Sequence, residues 1–284
     1  MSRLNPYPDR LPGAVSYIYN IGKYEISRDM IAKANSAGSL GITMWNMTNF
    51  GGNGVNRPAT GISWNEAARF VNYLNTSKGY QAAYNFTTSG ANDYISLWGA
   101  GQYSGVNKFR HKDAYYFLPS EDEWFKAAYG SPSGTWYKYS TGSDSMPMPV
   151  SGGTAPGTVV FANQSSPADI TNAGGLSPYG TMAQGGNAWE WMEADSYYPN
   201  DEVLGQRILR GGTYEGSDNF STRIDADRYG FASPEQQTLG NPDPTSALTP
   251  STLGFRVASV PEPSALSLLA VGLGGLAMMR RRRS

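Results

Sequence analysis

The chain has 284 residues, with 34 glycines, 18 prolines, 13% aromatic and 16% charged residues. That length buries a sizeable core, and the Gly, Pro and aromatic content points to a loop-rich α+β or all-β domain, not a helical bundle. The absence of cysteine excludes disulfides, thiolate metal sites and thiol nucleophiles, and the single histidine, His111, excludes any site with two or three His ligands.

The formal net charge is −1. Without residues 261–284, which hold Arg280 to Arg283 and Glu262, the body keeps 18 basic and 22 acidic residues. It has no basic footprint, so nucleic acid is not an expected partner.

The chain opens with Met1-Ser2-Arg3-Leu4-Asn5-Pro6, which holds no apolar stretch of signal-peptide length. Residues 1–16 are an N-terminal segment. Residues Tyr17 to Ile26 alternate enough to read as a strand or hairpin. Ser27 then caps a short helix to about Ala34, and a Gly/Asn-rich loop follows to Thr60.

Ser63-Trp64-Asn65-Glu66 is a capping box, with Ala67, Phe70, Val71 and Leu74 following at helical spacing. Tyr80 to Tyr115 is polar and Gly-rich and reads as an irregular excursion. His111 lies there beside Arg110, Lys112 and Asp113 and reads as a solvated histidine. A second box, Ser120 with Glu123, opens a helix that Gly130 ends. Glu121, Asp122 and Glu123 resemble acid–base carboxylates, but capping and the helix dipole account for them.

Gly185-Gly186-Asn187-Ala188-Trp189-Glu190-Trp191 is the densest run of large aromatics beside glycines. In a strand, Glu190 faces away from both indoles. Two readings stay open. One is a core strand leaving a tight turn. The other is a bed of backbone carbonyls and a carboxylate for a hard cation such as calcium. Arg207 to Tyr214 reads as an apolar strand running into Gly211-Gly212, and Leu253 to Ala258 as the last strand of the body.

The C-terminal segment, residues 260–284, carries Val260-Pro261-Glu262-Pro263, an apolar run from Ser264 to Met279, and Arg280, Arg281, Arg282 and Arg283. The run is short for a bilayer, and snorkelling arginines would extend it and stay cytoplasmic. Together these parts resemble the PEP-CTERM sorting signal of bacteria that make extracellular polysaccharide. That resemblance implies export, a single transmembrane helix, handling by an exosortase-type enzyme and removal of the tail. Export implies an apolar signal segment encoded upstream of Met1.

Six further pieces stand in order across residues 17–259. They are Ile21-Gly22-Lys23-Tyr24-Glu25, Ile62-Ser63-Trp64, Leu118 to Trp124, Gly186 to Trp191, Leu209-Arg210-Gly211-Gly212 and Gly254-Phe255-Arg256-Val257. Their order resembles the formylglycine-generating enzyme family, the sulfatase-modifying factor domain. The resemblance implies an α+β, C-type-lectin-like, loop-rich fold. The family's oxidases use two copper-binding cysteines, which would fall near Gly216 and Ser221. No thiolate exists in this chain, and a hydroxyl cannot replace a soft sulfur ligand, so no copper is expected. A related branch holds iron with three histidines, and this chain has one. The resemblance also implies calcium sites at Gly186, Ala188 and Glu190, with Ala183 where an Asn or Asp is usual, and at Asn163 and Gln164, with Asp169 as a candidate.

The leading expectation is a non-catalytic, surface-sorted domain that binds glycan, peptide or matrix. Tyr103, Tyr197 and Tyr198 are candidate sugar-stacking aromatics. The alternatives are an enzyme with cysteine-independent chemistry, using Arg223, Asp225, Asp227 and Arg228, and a structural envelope protein.

Overall fold

A computed structural model describes residues 12–89, 92–105, 107–195, 207–215, 230–232 and 250–261. The elements run β1 (Asn20–Ile21), α1 (Arg28–Gly38), α2 (Trp64–Thr76), β2 (Asn85–Ser89), β3 (Asn92–Ser96), β4 (Tyr116–Phe117) and α3 (Glu121–Tyr129). They continue with β5 (Met148–Pro149), β6 (Thr158–Val159), β7 (Trp189–Asp195), β8 (Arg207–Arg210), β9 (Gly230–Ala232), a 3-10 turn (Pro250–Thr252), β10 (Leu253–Gly254) and β11 (Ala258–Ser259). The fold is mixed α/β with long irregular connections.

Both capping boxes form. Ser63 Oγ accepts from Glu66 N at 3.2 Å, and Glu66 Oε2 accepts from Ser63 N at 2.9 Å. Ser120 Oγ accepts from Glu123 N at 3.2 Å, and Glu123 Oε2 accepts from Ser120 N at 2.7 Å. Each box satisfies two backbone donors that a helix start otherwise leaves unpaired. Ser27 caps α1 as expected, but the helix runs to Gly38, one turn past Ala34. It ends where Ser39 turns left-handed and returns its N–H to Asn35 O.

The principal sheet has the order β10-β7-β8-β9, with β10 parallel to β7 and the other pairs antiparallel. A smaller antiparallel sheet, β1-β11-β4, ties the first described strand to the last. Only Asn20 and Ile21 of the expected Tyr17–Ile26 strand pair with a neighbour. Residues 80–115 contain the β2–β3 hairpin, so the region is less irregular than its composition indicates.

The main core joins α2 to the principal sheet. Trp64, Phe70 and Val71 of α2 are buried with Trp189, Trp191, Leu253 and Phe255. Phe70 and Phe255 meet edge to face at 5.6 Å, a favoured aromatic geometry. The two elements also exchange indole hydrogen bonds. Trp64 Nε1 donates to Met192 O at 2.9 Å, and Trp191 Nε1 donates to Ile62 O at 2.7 Å. Each buried indole therefore finds the acceptor it needs.

Candidate functional site

The turn before β7 is held by backbone geometry. Gly186 has φ +103° and Asn187 has φ +63°. A Cβ on Gly186 would collide with the carbonyl of Val160 and with Val159. This close approach requires glycine. Asn187 turns its side chain inward, where Nδ2 donates to Glu25 Oε2 at 2.6 Å and Oδ1 accepts from Ala168 N at 2.7 Å.

Glu190 follows on β7, facing away from Trp189 and Trp191. Both of its oxygens are engaged. Arg256 donates to Oε2 through Nε at 2.5 Å and to Oε1 through an Nη at 2.6 Å. Trp124 Nε1 donates to Oε2 at 2.7 Å. The guanidinium also reaches the carbonyls of Gly22 and Met182, each at 2.8 Å. Arg256 and Glu190 are both fully buried. Glu25 lies on the other side of the same cluster, where Oε1 accepts from Ala188 N at 3.1 Å. Burial and the Glu190 charge push its carboxyl up to about 8, against the pull of Arg256 and the two N–H donors.

A second ionic cluster lies under β4 and α3. Arg110 bridges Glu193, at 2.6 Å, and Glu123, at 3.2 Å, while its guanidinium covers the Phe117 ring at 3.7 Å. Tyr84 Oη and Asn107 Nδ2 donate to Glu193, and Tyr17 Oη donates to Glu123 at 2.7 Å. Burial alone would raise the Glu123 pKa, but the charge and hydrogen bonds of Arg110 override it and hold the carboxyl below its usual value. A third pair joins Arg210 of β8 to Glu121, both buried.

The positions expected to bind calcium are placed as follows. Gly186 and Ala188 are buried in the turn beside Glu190. The positive charge beside the Glu190 carboxylate comes from Arg256 and occupies both oxygens, so Gly186, Ala188 and Glu190 do not fit a calcium bed. Asn163 is exposed with φ +60°. Gln164 folds its amide back onto Phe161 O at 3.0 Å, and Asp169 faces Arg57 Nε at 3.4 Å. Among the described residues, no three His, Asp or Glu side chains converge in metal-binding geometry.

His111 is buried, not solvated. It is 8% exposed, and its ring meets Trp98 edge to face at 4.7 Å. His111 N also donates to Ala83 O at 2.9 Å, and its charged sequence neighbours hid these contacts. Tyr103 is partly buried. Gly216, Ser221, Tyr197, Tyr198, Arg223, Asp225, Asp227 and Arg228 lie outside the described residues.

An open groove of about 400 Å³ lies between β1, the C-terminal half of α3 and the Tyr179–Thr181 turn. Tyr17, Tyr19 and Tyr179 are among its walls, with Lys23 and Lys126 at its border. Sequence reading missed these tyrosines as a group. Their signal was the Tyr17-Ile18-Tyr19 alternation, which instead read as strand.

The family profile described as the Sulfatase-modifying factor enzyme 1-like domain matches residues 19–260. The chain belongs to that family. A second profile, the PEP-CTERM protein-sorting motif, matches residues 259–283. The Sulfatase-modifying factor enzyme 1-like domain is thus joined to a sorting signal that marks an exported, exosortase-sorted protein. Treponema denticola variable protein 1 is similar to this chain, with a TM-score of 0.54 at 20% identity over 86% of this chain and 84% of that one. A crystal structure of CarF is similar too, with a TM-score of 0.53 at 20% identity over 86% of this chain and 87% of that one. At such identity these likenesses show the fold alone. No match was found among curated proteins.

Within the sorting signal, Pro261 is described and exposed. Glu262, Pro263, the apolar run and Arg280 to Arg283 lie outside the described residues. Among the described residues, no helix is long and apolar enough to cross a membrane.

Proposed function

We propose that this is a non-catalytic binding domain displayed at the cell surface, with a C-type-lectin-like fold that presents its loops to a glycan, peptide or matrix ligand. The observation that carries the reading is the state of the buried ionic groups. Glu190, Glu123, Glu193 and Glu121 each sit against a guanidinium in the interior. Carboxylates held this way brace the fold and offer no free base. Glu25, the one carboxyl among the described residues that is raised toward neutrality, is 1% exposed, out of reach of a ligand at the surface. The chain has no cysteine to bind copper.

On this reading the apolar run from Ser264 to Met279 anchors the chain in the membrane until exosortase-type processing. Arg256, not calcium, neutralises Glu190. Calcium should therefore leave the melting temperature of the full chain unchanged. A rise that disappears in Glu190→Gln would overturn that assignment.

The functional test has two arms. The full chain is offered copper and a cysteine-containing sulfatase peptide, and no aldehyde should form. It is also screened against a glycan array, where specific retention is expected. Aldehyde formation would restore the enzyme reading, and an array without a single retained glycan would remove the glycan-binding one.

A further inference from the structure

The groove between β1, α3 and the Tyr179 turn is lined by tyrosines and by charged residues of one sign. Its lining contains two lysines and no carboxylate, although the whole chain has one more acid than base. Lys126 Nζ is held by the carbonyl of Val15 at 3.1 Å, a neutral partner. Lys23 lies 5.4 Å from the centre of the Tyr24 ring. Among the described residues neither forms an ion pair with a carboxylate, so both side chains line the groove without an opposing charge.

The aromatic wall is preorganised. Tyr17 Oη donates to Glu123 Oε1 at 2.7 Å, Tyr19 Oη to Glu123 O at 2.6 Å and Tyr179 Oη to Ser131 O at 3.2 Å. With all three hydroxyls tied to the protein, and Tyr17 set edge to face against Tyr19 at 6.3 Å, the rings are fixed. Tyr17 is 52% exposed and Tyr179 is 43% exposed. Fixed rings bind without losing side-chain entropy.

We propose that this groove binds an acidic saccharide, with a sugar ring stacked on the tyrosine faces and its acid groups paired with Lys23 and Lys126. The inference deepens the binding reading above and rests on it. The volume lies within the range of about 300–1,000 Å³ typical of small-ligand sites. Aromatic faces suit the C–H faces of a sugar ring, and the unopposed lysines select a carboxylated or sulfated one. An acidic peptide fits less well. The nearby sheet edge is β1, only two residues long, so it offers little backbone for an added strand.

The test is calorimetric titration of the full chain in detergent micelles with tetragalacturonate, neutral cellotetraose and tetraglutamate. Tetragalacturonate should bind, weaken as salt is raised, and outcompete both others. Lys23→Gln with Lys126→Gln should lower affinity about tenfold, the value of two partly exposed ion pairs. Tyr179→Ala should lower it about fivefold through lost stacking. Unchanged melting temperatures would show that these variants fold, and the exposed Lys23→Gln change alone should still give a measurable loss. Equal binding of tetraglutamate would overturn the saccharide assignment. Tetragalacturonate binding that none of these variants moves would overturn the groove while leaving the surface-binding reading intact. No retained glycan of any kind on the array would overturn the saccharide assignment together with the glycan form of the binding reading.

Discussion

Gly186 concentrates the demands of the β7 turn in one residue. Its φ of +103° and its approach to the Val160 carbonyl leave no place for a side chain. Gly186 N also donates to Gly211 O at 2.6 Å, so the turn joins the two glycine-bearing loops. Gly186→Ala should therefore cost about 3 kcal/mol through backbone strain and displacement of Val160. A denaturant midpoint equal to that of the parent would refute this. The turn and the facing of Glu190 away from the two indoles were legible in the sequence, because glycine pairs and strand alternation are local signals. The partners were not. Arg256 lies 66 residues from Glu190, and Glu25 lies 162 residues from Asn187. Such pairs leave no period in the sequence, and only the family resemblance placed their segments in one fold.

At the scale of elements, α2 and α3 announced themselves, because capping boxes and i, i+3, i+4 apolar spacing are complete within one segment. The two-residue strand β4 did not, and β1, β10 and β11 are shorter than the runs read for them, since pairing so short depends on the neighbouring chain and not on alternation. The α3 box also has a tertiary role that sequence could not show. Glu123 accepts from Ser120 N and is at the same time a partner of Arg110 and Tyr17. The two roles separate by mutation. Ser120→Ala removes a cap and should cost about 1 kcal/mol. Glu123→Ala removes the cap partner and one side of a buried ion pair, and should cost about 3–5 kcal/mol. Urea unfolding of both variants checks the order. Equal losses would mean that Arg110 draws no stability from Glu123 beyond its Glu193 contact.

For the whole molecule, the two buried clusters set opposite limits on stability against pH. Glu123 is held below its usual value by Arg110. The unfolded chain then takes up a proton first as pH falls, so this contribution is present above about 4.5 and is lost on acidification. Glu25 behaves in the reverse sense. Burial and Glu190 raise it from 4.5 to about 8. The folded protein retains that proton where the unfolded chain has released it, so the contribution is present below 4.5 and declines as pH rises through 8. The groups facing Glu25 are Glu190, Arg256, Asn187 and the Ala188 N–H. With one limb set by each cluster, stability should peak in weakly acidic solution near pH 5. The melting temperature of the full chain should then fall between pH 5 and pH 8.5. Glu25→Gln removes the titrating group and should flatten that limb, leaving the loss below pH 4.5 in place. A parent protein whose melting temperature rises toward pH 8.5 would show that Arg256 serves both carboxylates at once. A variant that keeps the parent's full alkaline decline would place the titrating group elsewhere.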